Sequence, residues 1–338
     1  MGGDRDGNPN VTPNVTREVV LQQRLRAAKL YWNDLNELYS ELAISYRFSP
    51  EMEELAASVK DSPDVIEKYR RVIGHLRLRL LNTVRICETE LESLATRNGT
   101  FRSVATTMVD IGSYIPLDKW ADLKPIMDAA DLMTPLKIIY ESLMATGFEL
   151  VAEGRLLDII RRLACFGMTL LTLDIREEST KHTEALDAIT RYLGIGSYIE
   201  WDEATRLNFL TAELASKRPL IHISSLGSLG FSDSVLTTLK IFQTAASINP
   251  EALGAYVISQ AQLASDVLAV MLLQQLFGMT VSSGRMMRVV PLFETLLDLT
   301  NAPDVLETLF SIPNYVGAIR GRQEVMVGYS DSAKDAGR

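Results

Sequence analysis

The chain is poor in cysteine and histidine and has no excess of positive charge. Its 338 residues include 2 Cys and 3 His, and 34 Lys and Arg stand against 43 Asp and Glu, for a net charge of -9. Each shortage excludes something. Cys87 and Cys165 lie far apart, each inside an apolar helical pattern, so they read as buried free thiols rather than a disulfide framework. That reading expects a reducing compartment, the cytoplasm. His75, His182 and His222 have no metal-ligand spacing with one another, and no Cys-x-x-Cys occurs, which excludes the common zinc motifs. His182 reads as a helix-surface histidine. The acidic balance argues against nucleic acid as a partner, because phosphate backbones need a basic surface. It leaves room for small anions, since a local cluster of Arg and Lys can outweigh the global charge. No apolar run approaches the roughly 20 residues that span a bilayer, so no membrane partner is expected. Met1 is followed by Gly-Gly-Asp-Arg-Asp rather than an apolar stretch, so no secretory leader is expected. G-x-S-x-G, Walker A and dinucleotide fingerprints are missing as well.

What is present divides into two halves. Residues 1–13 are rich in Gly, Asn, Asp and Pro and read as loop. Leu21, Leu25, Ala28, Trp32, Leu35, Tyr39 and Leu42 alternate spacings of four and three, which places them on one face of a long helix. Ser49-Pro50 and Ser62-Pro63 punctuate further helices. Glu67 to about Ala95 reads as one more, whose Arg70, Arg71, Arg77, Arg79 and Arg85 read as a solvated basic face. Asn98-Gly99 marks a turn. Residues 101–162 look helical, broken near Pro116, Pro125 and Pro135.

The second half changes to strands alternating with helices. Met168–Asp174, Gly254–Ile258, Met287–Phe293 and Gln323–Val327 are short apolar runs, and helical patterns follow the first three. Ser179 or Thr180, Ser265 and Asn301 are the expected helix caps, with Pro303 in a first turn, where proline is tolerated. Repeated strand-then-helix units argue for a parallel sheet with both faces covered. In such sheets chemistry gathers at the carboxyl ends of the strands. Those ends offer Arg176, Ser259, Glu294 and Asp331.

A guanidinium between a strand end and a helix N-terminus can grip phosphate or carboxylate in a bidentate way. The plainer alternative for Arg176 is a salt bridge with Glu177 or Glu178. Glu294, after Val-Val-Pro-Leu-Phe, cannot stay buried unpaired. It is a metal ligand, the partner of a buried cation, or a rim residue, and Asp331 has the same three options. Two carboxylates at neighbouring strand ends suit a hard cation such as Mg²⁺. Lys334, three residues after Asp331, touches a bound anion or pairs with a neighbouring acid.

Longer motifs carry a resemblance. GGDRDGNPNVT (2–12), RRLACFGMTLLTLDIREEST (161–180), HTEALDAITRYLGI (182–195), AYVIS and SDVLAV (255–270), RVVPLFET (288–295) and VMVGYSDSAKDAG (325–337) together resemble the phosphoenolpyruvate carboxylase family along the full chain. The resemblance implies a Mg²⁺- or Mn²⁺-dependent carboxy-lyase. It would join bicarbonate to phosphoenolpyruvate through carboxyphosphate and an enolate, yielding oxaloacetate and phosphate to feed the tricarboxylic acid cycle. The implied fold is mainly α with an α/β part: a partial (β/α)₈ TIM-type barrel embedded in many helices. Residues 1–160 would be the helical region and 161–338 the partial barrel, both within one larger catalytic domain cut at both ends. The family is allosteric and forms homotetramers.

The resemblance also assigns roles. Glu294 and Asp331 would hold the metal, Arg176 would contact the substrate phosphate and Lys334 would line the same pocket, both as catalytic and binding residues, and Leu292 would wall the pocket near the substrate methylene. The chain departs from the usual pattern at Glu177, at Gln260 and at Pro313-Asn314-Tyr315-Val316. The family's catalytic histidine and its Gly- and Arg-rich loop lie in segments flanking the matched motifs, so the isolated chain is expected to be inactive. Two alternatives stand beside this reading: a phosphotransferase-type barrel relative, and a non-catalytic helical scaffold derived from a carboxylase.

Overall fold

The computed structural model describes residues 2–59, 66–97, 120–216, 218–329 and 333–334. Two compact units form, one from Met1–Arg17 with Thr172–Arg338 and one from Glu18–Leu171. The opening loop thus belongs with the strand-bearing half, and residues 161–171 belong with the helical half. Ser62-Pro63, Asn98-Gly99 and Pro116 lie outside the described residues.

The helical unit is built from amphipathic segments. Helix α1 (Pro13–Glu41) supplies most of its length to this unit, with α2 (Pro50–Ser58), α3 (Lys68–Arg97), α4 (Ala129–Ala145) and α5 (Leu157–Phe166). Leu21, Ala28, Trp32 and Leu35 are buried as their spacing requires. They are the stripe that a 3.6-residue repeat lays along one face. Leu35, Leu38, Ile73, Leu136, Ile139 and Ile159 join one apolar core. Pro135 does not break α4 but sits inside it. Leu132, Leu136, Ile139 and Leu143 bury around it, so packing outweighs the backbone hydrogen bond that proline removes.

Two expectations for this unit are corrected. The arginines of α3 are not a solvated face, because all five are half-buried and bonded. Arg70 Nε donates to Tyr39 O (2.8 Å), Arg71 Nε to Val59 O (2.9 Å) and Arg79 Nε to Lys124 O (2.8 Å), while Arg85 reaches Ala121 O (3.3 Å). Arg77 lies over the rings of Trp32 and Tyr39, at 5.3 and 4.8 Å. These guanidinium groups satisfy carbonyls that loops and helix ends leave without partners. Cys165 is exposed, whereas Cys87 is buried as expected; burial pushes the Cys87 thiol up to about 12.

Among the described residues, the strand-bearing unit holds four parallel strands in sequential order: β1 (Leu173–Glu178), β2 (Leu253–Ser259), β3 (Arg288–Phe293) and β4 (Met326–Val327). Helices α6 (Ser179–Tyr192), α7 (Glu203–Ala215), α8 (Asp233–Ser247), α9 (Ala264–Leu276), α10 (Leu296–Phe310) and α11 (Pro313–Ile319) connect and cover them. The first strand begins five residues later than the apolar run beginning at Met168. Strand β2 is buried on both faces and α9 along nearly its whole surface, the pattern of an inner strand and an inner helix. Tyr256 and Ile258 of β2 point into the helix-side core, where Phe242 stacks on Tyr256 at 5.0 Å. Ala255, Val257, Val290 and Leu292 form a separate apolar cluster, on the opposite face by the two-residue period of a strand.

The helix starts differ from the expected caps. Helix α10 begins at Leu296, not Ala302: Thr295 Oγ1 accepts from Asp298 N (3.1 Å) while Asp298 accepts from Thr295 N (3.1 Å). This reciprocal capping box sets the start and leaves Pro303 inside the helix. Ser265 lies within α9; Asp266 accepts from Gln262 N and Leu263 N there, both at 3.0 Å. Helix α6 starts at Ser179 itself, without a side-chain cap.

Candidate active site

The carboxyl ends of β1 and β3 meet the opening loop of the chain. Arg176 lies level with Val257 of β2, which lies level with Val290 of β3. Glu294 follows Leu292 by two residues and so shares its face. Residues 3–5 add to the outer edge of β1 through a single parallel bridge. Arg5 N donates to Arg176 O (2.9 Å) and Arg176 N donates to Gly3 O (2.8 Å). Only glycine permits this approach, since a Cβ at Gly3 would lie 1.8 Å from Asp174 O.

The Arg176 guanidinium is ringed by carboxylates. Nη2 donates to Asp6 Oδ2 at 2.7 Å and to Glu294 Oε1 at 3.1 Å, and Nε stands 3.8 Å from Asp4 Oδ1. Neither Glu177 nor Glu178 is its partner. Glu177 turns to the opposite face, where its Oε2 lies 3.3 Å from Arg5 Nε. Burial raises the Glu177 carboxyl above its ordinary range, and the Arg5 charge opposes that shift. Beneath this pair, His182 is fully buried and shares a 2.8 Å hydrogen bond with Tyr256 Oη. His182 is therefore not a surface residue; burial, with help from Arg5, lowers its imidazole to about 3 and keeps it neutral.

The other expected residues divide by visibility. Leu292 is buried in the apolar cluster beside the site. Ser259 is fully buried at the end of β2, and its hydroxyl has no hydrogen-bond partner among the described residues. Lys334 is exposed. Asp331 lies outside the described residues, so its pairing with Glu294 stands as an expectation. Among the described residues no cluster of three or more His, Cys, Asp and Glu is arranged to hold a metal ion. The donors nearest Arg176 are nevertheless carboxylate oxygens, the ligand type a hard divalent cation takes. Room for Glu294 is kept by Gly328, where a Cβ would lie 3.0 Å from Glu294 Cγ. In donor type, the residues present fit such a cation.

Chemically, the arrangement offers a cation with fixed fork geometry and several carboxylates at one strand-end mouth. Among the described residues, Arg5 Nη1 and Arg176 Nε are buried and make no hydrogen bond. Buried donors left in that state are strong sites for an incoming anion. The family model for phosphoenolpyruvate carboxylase matches residues 1–338. The chain belongs to the phosphoenolpyruvate carboxylase family. It is 43% identical over 361 residues to phosphoenolpyruvate carboxylase 1 of Chlamydomonas reinhardtii, and 45% identical over 341 residues to phosphoenolpyruvate carboxylase of Ectopseudomonas mendocina. The Pseudomonas aeruginosa carboxylase is 44% identical over 337 residues. Each alignment covers 100% of this chain and 34% of the relative, so the chain spans about a third of the length of the curated carboxylases it matches.

Reasoning from the residues missed the partners of Arg176. Asp4 and Asp6 sit in a loop that local pattern reads only as a turn, although the loop is part of the carboxylase-like motif set. It also missed the Arg5–Glu177 pair, since nothing in the local spacing relates residues 172 positions apart.

Proposed function

We propose that this chain forms part of a phosphoenolpyruvate carboxylase and supplies strand-end groups that bind phosphoenolpyruvate and a divalent cation. The observation that carries the reading is the meeting of Arg176 and Glu294, 3.1 Å apart, in a chain matched throughout by one family model. In this reading Arg176 and Lys334 hold the phosphoryl group, and Glu294 with Asp331 hold Mg²⁺ or Mn²⁺. When bound, the ion supplies Lewis-acid neutralisation of developing negative charge.

The protein's own groups then do the following. Arg176 presents guanidinium donors to the phosphoryl oxygens and stabilises charge as a bicarbonate oxygen attacks phosphorus. That displacement yields carboxyphosphate and the enolate of pyruvate. Carboxyphosphate breaks down to carbon dioxide and phosphate, and the enolate carbon bonds to carbon dioxide to give oxaloacetate. Leu292 walls the methylene side and keeps water away, because a protonated enolate would be lost as pyruvate. The four sequential parallel strands are part of a (β/α)₈ barrel, the whole enzyme is a cytoplasmic homotetramer, and the isolated 338 residues do not turn over.

An oxaloacetate-coupled assay tests this. The full-length protein is expected to turn over only with phosphoenolpyruvate, bicarbonate and Mg²⁺ or Mn²⁺ together, and the 338-residue chain not at all. Absence of turnover by a folded full-length protein would favour the scaffold reading. Activity of the short chain near that of the full-length protein would show that the catalytic groups are misassigned.

A further inference from the structure

Two carboxylates share one guanidinium nitrogen at this site, each accepting one of its two N–H groups. Arg176 Nη2 lies 2.7 Å from Asp6 and 3.1 Å from Glu294. A Glu294 carboxylate that hydrogen-bonds to a guanidinium is a poorer cation ligand, since lone pairs and negative charge are already engaged. Asp6 makes the shorter contact, and its position is fixed from two directions. Asp6 N donates to Asp4 Oδ1 (3.2 Å), and the preceding residue is tied to the edge of β1 by the Arg5 N to Arg176 O bond.

We propose that Asp6 is a positioning residue: by drawing Arg176 toward the opening loop it keeps Glu294 available for a divalent cation. The guanidinium is then shared between a fixed acceptor, Asp6, and a releasable one, Glu294. Cation binding takes Glu294 from Arg176 and leaves Nη2 to Asp6 and to the incoming anion. Cation and anion binding are thereby coupled, with the cation favouring the anion and the reverse by reciprocity. The inference rests on the reading of Glu294 as a metal ligand and goes beyond it by assigning a role to a loop residue.

The test is a Mn²⁺ titration of the full-length protein without substrate, following free Mn²⁺ by electron paramagnetic resonance. Asp6→Asn is expected to weaken Mn²⁺ binding about three- to fivefold, the upper part of the range of one partly exposed charged contact. Arg176→Gln is expected to strengthen it by a similar factor. Simple loss of nearby charge would give the same two signs, so the double variant decides. In the Arg176→Gln background, Asp6→Asn should change Mn²⁺ affinity less than twofold if Asp6 acts through Arg176. An equal loss in both backgrounds, or no loss in either, overturns the proposal. Asp6→Glu should restore affinity to within about twofold, a rescue that general loop damage would not give. If Asp6→Asn fails to fold, Asp6→Ser carries the same cycle. Glu294→Gln separates the two levels: retention of native Mn²⁺ affinity there overturns the metal reading itself. Loss there with additive Asp6 and Arg176 effects overturns only the positioning role.

Discussion

The arginines of α3, in the helical unit, and Arg176, in the strand-bearing unit, are held in different ways. Arg70, Arg71, Arg79 and Arg85 each reach a main-chain carbonyl, and Arg70 and Arg79 pair also with Glu67 and Asp131. Carbonyls cannot leave, so those arginines are structural braces. In the strand-bearing unit, Arg176 is held by side-chain carboxylates on the opening loop and at the end of β3, one strand beyond its neighbour β2. Carboxylates on different elements can exchange their cation for another, and that freedom distinguishes a binding group from a brace. Counting arginines along the sequence points to α3; the chemistry of their acceptors points to Arg176.

The largest effect that could break this contrast is on substrate use. In the full-length protein, Arg176→Ala should lower kcat/KM for phosphoenolpyruvate by about 2–5 kcal/mol in transition-state terms, the cost of removing one partner of a charge-assisted contact. Arg79→Ala should lower thermal stability and leave kcat/KM within about twofold. Steady-state kinetics of both variants decide whether the contrast is one of function or only of setting.

Leu136→Ala, in the core of the helical unit, should destabilise by about 2–5 kcal/mol through lost burial and a residual cavity, read as a shifted urea midpoint. Mn²⁺ affinity measured well below that midpoint should not change. A changed affinity would mean that the helical core shapes the strand-end site.

A pH effect of intermediate size belongs to the strand-bearing unit. His182 is held near 3 in the folded state against an ordinary 6.5, so the unfolded chain takes up the proton first. Stability is therefore fully present above pH 6.5 and falls by about 1.4 kcal/mol per unit as pH drops from there toward 3. Between pH 8 and pH 5 the loss should be about 2 kcal/mol. Glu177 is shifted up and acts in the opposite sense, so the useful quantity is the difference between the native protein and His182→Gln. Urea unfolding at the two pH values should show the native protein losing more stability than the variant by that amount; equal losses would remove His182 as the cause.

The smallest expected effect is at the cap next to Glu294. Thr295→Ala removes the acceptor for Asp298 N and should cost about 1 kcal/mol, read again from urea unfolding. An effect well above this would mean that the cap also fixes the approach of Glu294.

Much of the fold was legible because its signals are local. The helical stripe through Leu21, Ala28 and Leu35 and the four apolar runs near the observed strands follow from periodicity alone. Signals that depend on who sits opposite were not legible. Asn301 looks like a cap before Pro303, but Thr295 and Asp298 form a complete box six residues earlier, and that box starts the helix. His182 sits among polar and small residues in sequence, yet Phe242 and Tyr256 enclose it. For the candidate site, the strand-end rule found Arg176 and Glu294. Their mutual contact and the Asp4 and Asp6 carboxylates depend on a loop joining a strand far along the chain, which no local pattern encodes.

Gly3 brings a consequence of a kinetic kind. Its missing side chain lets the opening loop lie against β1, and so Asp6 meets Arg176 across 170 residues of sequence. Closing a loop of that length costs on the order of 4–5 kcal/mol of chain entropy beyond a constant, by the logarithmic rule. Contacts of such long range are slow to form, because that entropy is lost before the contact rewards it. Seating Asp6 against the guanidinium is thus a slow closure. An anion bound to it would hold that closure shut, making ligand binding a brake on opening of the chain's own beginning.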